Sequence, residues 1–207
     1  DVVDVDGAVN FAADVTFADG ADIITATAGT SNFRAGVNAG NSITSGGNYN
    51  VLVGDEAGTA ITTGDENTAI GTGALDTNVT GSNNTAVGRN ALTTSTVDNN
   101  TAIGWQSLQA TTTGTNNTGL GLRSLYTNTT GASNTALGRD ALYANTTASD
   151  NTAVGYNALT ANTTGNKNTA VGQNALIANT TGTINVALGN GALQTATTAD
   201  GNTAVGS

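Results

Sequence analysis

The 207-residue chain contains no cysteine, histidine, proline or methionine, and only three phenylalanines, four tyrosines and one tryptophan. Without cysteine it has no disulfide framework, and its redox compartment is left open. Without cysteine and histidine the common nucleophile–base pairs are gone, so any catalysis would fall to carboxylates. Five basic residues against fifteen acids leave a net charge of −10, which opposes binding to nucleic acid or anionic membranes. No apolar run approaches a membrane span in length, and no signal-peptide pattern opens the sequence. A first residue that is Asp1 and not Met leads us to expect a longer parent chain. Aromatics make up 4%, and most apolar residues are Ala or Val. Such a chain cannot build a thick core. It must bury small side chains in a thin, regular interior, or associate to complete one.

What the chain has is repetition. Asn151 to Leu159 reads NTAVGYNAL, and seventeen residues on Asn168 to Leu176 reads NTAVGQNAL. With that Asn as position zero, repeats start at Asn67, Asn84, Asn100, Asn117, Asn134, Asn151, Asn168, Asn185 and Asn202, spaced 17, 16 and then 17 throughout. Two degenerate copies precede them, at Asn50 (NVLVG) and Asn32 (NFRAG). A period this short excludes helical hairpins and propeller blades and points to a solenoid. Each cycle carries two β-branched clusters, the NTAV run and a Thr tract such as NTT, with few long helix formers. The expected fold is therefore all-β: a parallel β-solenoid, or β-roll, with about 17 residues and two short strands per coil. Eleven coils stacked at about 4.8 Å make a rod of about 50 Å.

Individual positions follow from this frame. Gly recurs four residues after every Asn, from Gly36 to Gly206, and reads as a bend with positive φ or close backbone approach. The Asn itself suits a left-handed turn and a stacked amide ladder, and we assign it both. The Leu at position eight, such as Leu159, supplies one half of the interior. Strand side chains alternate, so the branched residue at position three (Ile70, Val87, Ile103, Leu120, Val154) is expected inside and the preceding Ala outside. An outer face held to Ala implies close packing against other copies of the chain, hence a homotrimer. Three segments result: a strand-rich shaft over residues 1–29 with Phe11 and Phe17 as anchors, degenerate capping coils over 30–66, and the regular solenoid over 67–207.

Chemistry-bearing residues are few. Asp55–Glu56 and Asp65–Glu66 are adjacent acids of the kind that could form a glycosidase dyad. Neighbours on a strand point to opposite faces and both pairs fall at turns, so we read them as solvated turn residues and expect no catalytic site. Asp/Asn/Gly turns could ligate calcium. The repeat signature for that is missing, and we expect neither a metal nor a cofactor. Triplets such as Asn128-Thr129-Thr130 match the glycosylation acceptor but arise from the repeat itself.

The variable position after the Gly reads Arg89, Trp105, Leu122, Arg139, Tyr156, Gln173, Asn190, and stacked coils would turn it into a stripe. Tyr126 and Tyr143 make a second short stripe four places further on. Arg89, Trp105, Arg139, Tyr156, Tyr126 and Tyr143 are the candidate receptor contacts, since aromatic and Arg residues on a bland surface are the usual materials of recognition. The alternative is that Trp105 and the tyrosines fill clefts between protomers.

The core N-T-A-V-G-x-x-A-L resembles the head repeat of trimeric autotransporter adhesins, roughly S-V-A-I-G-x-x-A. The match falls on Thr152, Ala153, Val154, Gly155 and Ala158 and their equivalents. The longer period, the Leu and the ANTTGxxN connector depart from it. The full pattern resembles more closely the repeats of bacteriophage tail fibres, and the resemblance covers nearly the whole chain. It implies a homotrimeric structural and adhesive fibre segment on a virion or other extracellular surface. Such a segment would extend the fibre and meet host polysaccharide or a protein receptor, without membrane insertion. A bacterial surface adhesin head is the alternative. An ice-binding solenoid is the remote one, because the Thr tract is interrupted by Ser95 and Ala148.

Overall fold

In a computed structural model of the chain, residues 29–207 are described. The shaft expected over residues 1–29, with Phe11 and Phe17, lies outside them but for Gly29. Each repeat contributes one strand of three residues: β1 Phe33–Ala35, β2 Val51–Val53, β3 Thr68–Ile70, β4 Thr85–Val87, β5 Thr101–Ile103, β6 Thr118–Leu120, β7 Thr135–Leu137, β8 Thr152–Val154, β9 Thr169–Val171, β10 Val186–Leu188 and β11 Thr203–Val205. All eleven lie in one sheet in sequence order, and each pairs in parallel with the next. Equivalent residues face each other, as in Thr152↔Thr169, Ala153↔Ala170 and Val154↔Val171. The short 16-residue cycle keeps this register, Thr85↔Thr101. Its missing residue is absorbed on the far side of the coil, where Asn84 Nδ2 reaches a carbonyl 13 residues on while Asn117 Nδ2 reaches one 14 on. The chain is an all-β parallel solenoid with coils of about 17 residues.

The second strand expected per coil does not form. Leu at position eight is left-handed in every regular coil, with φ of 52° at Leu142 and Leu159 and 50° at Leu176. That conformation costs about 1–2 kcal/mol at a residue with a side chain, and burying the leucine returns about 1.5–3 kcal/mol. After the bend the chain turns again, with the Asn162 N–H donating to the Leu159 carbonyl at 3.1 Å, and the Thr tract does not run as a strand. Stacking is kept by another device. Thr129 donates both its N–H (2.8 Å) and its Oγ1 (3.0 Å) to the carbonyl of Thr146, and Thr146 and Thr163 do the same one coil further on.

The strand face is also the reverse of the expectation. Ala69, Ala86, Ala102, Ala136, Ala153, Ala170 and Ala187 are fully buried, while the branched residues point outward, with Ile70 at 40%, Leu120 at 42% and Leu188 at 47% exposure. Alternation holds, but with the opposite phase. The reason is room. A Cβ placed on Gly119, which stands at the Ala position, would already lie 3.3 Å from Leu108 Cδ1. Between the leucine rank and the sheet only a methyl group fits. The argument from an outward Ala face to a trimer therefore fails, because that face is the core.

The interior is shared by alanine, leucine and two amide ladders. Asn151 donates its N–H (3.0 Å) and its Nδ2 (3.2 Å) to Asn134 Oδ1, and Asn134 Nδ2 also donates to the Ala148 carbonyl at 2.8 Å. The pattern repeats along the rod, so the buried amides of this ladder are paired, as burial demands. The ladder half of the Asn assignment holds. The turn half does not: positive φ falls one residue earlier, at Asn83, Asn116, Asp150 and Lys167 among others. A second ladder runs through Asn128, Asn145, Asn162 and Asn179, with Nδ2–Oδ1 distances of 2.8 to 3.1 Å. Asn128 is fully buried, so its N-x-T triplet serves the interior.

The invariant glycine behaves as expected. Gly155 has φ of 133°, and a Cβ there would lie 2.6 Å from the Gly172 carbonyl oxygen. Conformation and space both require it.

Candidate functional site

The uniform stack breaks at one edge, in the coils that begin at Asn117, Asn134 and Asn151. Position six there reads Arg123, Asp140, Asn157, and position nine reads Tyr126, Tyr143, Thr160. Because every coil keeps register, residues seventeen apart are direct neighbours. Tyr126 and Tyr143 stack with ring centroids 5.2 Å apart and planes 5° from parallel. Arg123 Nη2 donates to Asp140 Oδ2 at 3.1 Å, and its Nε lies 2.9 Å from Oδ1. Arg139 Nε donates to Oδ2 of the same carboxylate at 3.1 Å. Asp140 is only 7% exposed, and two cations enclose it.

Both guanidinium groups also sit over rings. Arg123 Cζ is 5.1 Å from the Tyr143 centroid, and Arg139 Cζ is 5.7 Å from that of Tyr156. Such contacts are attractive and hold the flat cation against the ring. The result is a continuous patch of tyrosine and arginine across three coils. It carries two of the five basic residues in the chain and one acid, a local surplus of one positive charge on an acidic rod.

A cavity of about 300 Å³ opens beside it, lined by Arg123, Asp140, Tyr143, Asn157 and Thr160. Its origin is a change of side-chain size within one rank. Where a third tyrosine would continue the stack, the chain has Thr160, whose Oγ1 turns to donate to the Asp140 carbonyl at 2.9 Å. The Asn157 side-chain amide lines the gap and finds no partner among the described residues. The cavity thus offers an aromatic wall, a free amide and a guanidinium. Its volume is at the small end of the range for ligand pockets.

No protein-family model, curated protein or solved structure matches this chain.

Of the sequence candidates, Tyr126, Tyr143, Arg139 and Tyr156 are brought together. Arg89 and Trp105 are exposed in the same rank, but neither makes an ion pair or ring contact with the cluster among the described residues. Arg123, Asp140, Asn157 and Thr160 were not selected by sequence reasoning. Positions six and nine could have shown them, since Arg123 and Asp140 are opposite charges one period apart.

The acids elsewhere have local work. Asp65 Oδ1 accepts the Asn48 N–H at 2.7 Å, Asp98 Oδ1 that of Ser82 at 2.7 Å, and Asp200 Oδ1 that of Thr183 at 2.6 Å. Asp55 Oδ1 accepts the Val37 N–H at 3.1 Å. Asp65, Asp98 and Asp200 recur at one structural position, fifteen in a full cycle and fourteen in the short one, and each caps the coil before it, while Asp55 stands at position five.

Proposed function

We infer that the chain is a structural and adhesive fibre segment of the phage tail-fibre kind, assembled as a homotrimer. It extends the fibre and contacts host-surface glycans. The observation that carries this reading is the outer face of the sheet. From β3 through β9 it presents two parallel ranks, Thr at position one and Val, Ile or Leu at position three. A continuous exposed aliphatic rank is unusual on an isolated soluble surface and marks an interaction site. Its regular repeat is matched in register by the same face of another copy. Three such rods side by side would cover these faces and leave the Tyr/Arg edge outward. A bacterial adhesin head would use the same assembly.

One observation favours a second reading. The strand threonines Thr68, Thr85, Thr101, Thr118, Thr135, Thr152 and Thr169 have no partner for their hydroxyls among the described residues. The tract threonines, by contrast, spend theirs on backbone carbonyls. A bare Thr/aliphatic face at constant spacing is what ordering of water or ice would need.

Oligomeric state separates the two. Light scattering of the purified chain is expected to give three times the 20.2 kDa mass of one chain. Replacing Ile103 and Val154 with Asp should reduce it to a folded monomer, by placing unpaired charges in the contact. A wild-type monomer would defeat the fibre reading, and thermal hysteresis of that monomer would then establish the second one.

A further inference from the structure

We propose that the gap between Tyr143 and Thr160 is a saccharide site that takes one pyranose ring, with preference for a ring bearing a carboxylate. The inference rests on the glycan-contacting reading only for the natural source of the sugar. The site stands on its own geometry.

Three features converge on this ligand class. A pyranose has an apolar C–H face and a rim of hydroxyls, so it needs a flat aromatic wall with hydrogen-bonding groups around it. Tyr143 supplies the wall: its ring is stacked on Tyr126, and the Arg123 guanidinium, 5.1 Å from its centroid, borders the part of the ring that lines the cavity. Asn157 supplies an amide free to donate and to accept, and Thr160, whose proton is committed to the Asp140 carbonyl, supplies acceptor lone pairs. The cavity of about 300 Å³ admits one sugar ring and not a large planar ligand.

Charge sets the preference. Arg123 and Arg139 both lean on Asp140, which can neutralise only one of them. Arg123 lines the cavity beside Asp140, while Arg139 holds the same carboxylate from outside it, so the Asp140 charge is shared and a carboxylate on the sugar would complete the balance. Arg123 spends Nε and Nη2 on Asp140, which leaves its Nη1 N–H groups as charged donors for a sugar carboxylate. The binding should be weak for a single sugar, with Kd on the order of 1 mM. Repetition of the site on each copy of an assembly, and of sugars along a polysaccharide, would raise it by avidity.

The test is an NMR titration of the full chain with methyl glycosides of glucose and galactose and with the corresponding methyl uronides. Wild type should show a shift of the Asn157 side-chain amide signals, saturating at millimolar sugar, with uronides binding at least about threefold tighter than their neutral counterparts. Asn157→Ala should weaken binding by about tenfold. Thr160→Tyr is the sharper variant, because a third stacked ring fills the gap while leaving Tyr143, Arg123 and Asn157 in place, so binding should vanish while the melting temperature holds or rises. Undiminished uronide binding by Thr160→Tyr, or no shift at Asn157 with any of the four sugars, would overturn the site. Equal binding of uronide and neutral sugar would overturn the charge preference. Host-cell binding by the rod distinguishes the two levels: cells bound equally by wild type and Thr160→Tyr would leave the fibre reading standing without this cleft. Uronide binding without any cell binding would leave the cleft standing without the fibre reading.

Discussion

The sheet face and the tyrosine edge of this rod follow opposite rules. On the sheet face one coil replaces another almost without notice: β3 through β9 each begin with Thr, and each ends with Val, Ile or Leu. On the edge, three successive coils present Arg123 with Tyr126, Asp140 with Tyr143, and Asn157 with Thr160. Both surfaces hang on the same stacked backbone, so the backbone does not require the difference. On the reading proposed above, uniformity would serve a partner with the same period, and singularity a ligand found at one height on the rod. The interior obeys the first rule more strictly still, since a side chain there touches its own kind above and below.

The largest effect should come from breaking the interior at a residue that touches the sheet face by sequence alone. Ala153 and Val154 are adjacent, yet one is fully buried and the other points outward. Ala153→Glu would bury an unpaired carboxylate and should cost about 3–5 kcal/mol, enough to unfold the central coils. Val154→Glu should leave a cooperatively melting fold with a midpoint close to wild type, and affect assembly alone. Denaturant unfolding monitored by far-UV circular dichroism reads both. Equal destabilisation by the two would contradict the assignment of the faces.

How much of this was legible beforehand divides along the same line. Period, parallel stacking, the asparagine ladder and the bend at Gly155 all follow from residues that recur at fixed offsets, and the structure shows each of them. The phase of the strand did not follow, because alternation says only that Ala153 and Val154 face opposite ways. Which one faces in depends on the depth of the interior, and that is set by Leu159 and its equivalents in a left-handed conformation that sequence gives no reason to expect. The edge was half legible. Tyr126 and Tyr143 stood out as aromatics one period apart, but Asn157 and Thr160 are ordinary residues whose meaning is the space they leave.

A middle-sized effect is expected where the interior departs from its own rule. Gly119 replaces the usual Ala, while Ser107 and Ser124 replace the alanines at position seven, and all three meet. Ser107 Oγ donates to the Gly119 carbonyl at 3.0 Å and lies 2.8 Å from Ser124 Oγ. A Cβ on Gly119 would lie 2.5 Å from Ser107 Oγ and 2.9 Å from Ser124 Oγ. Gly119→Ala should therefore cost about 1–3 kcal/mol by overpacking. Adding Ser107→Ala and Ser124→Ala should recover most of it, because the triple variant rebuilds the arrangement of the neighbouring coils. Non-additivity measured across this set is the check: purely additive effects would mean the three positions are not one packed unit.

The smallest effect should come from Trp105, and its smallness is what makes it informative. Its side chain is 45% exposed, and no ring or cation of the cluster touches it among the described residues. It stands in the same rank as Arg139 and Tyr156, separated from Arg139 by Leu122, so it lies about 10 Å along the rod at two coil spacings. Trp105→Ala should change the stability of a single folded chain by about 1 kcal/mol or less, as surface replacements do. Binding of methyl uronides at the Tyr143 gap should be unaltered. If the tryptophan is an outlying contact for an extended polysaccharide, the same variant should weaken binding of the polymer while sparing the single sugar. If it fills a cleft between protomers, the assembly should dissociate at higher protein concentration than wild type with no change in sugar binding. Sedimentation and polymer binding measured on this one variant therefore assign the tryptophan either to the singular edge or to the repeating assembly face.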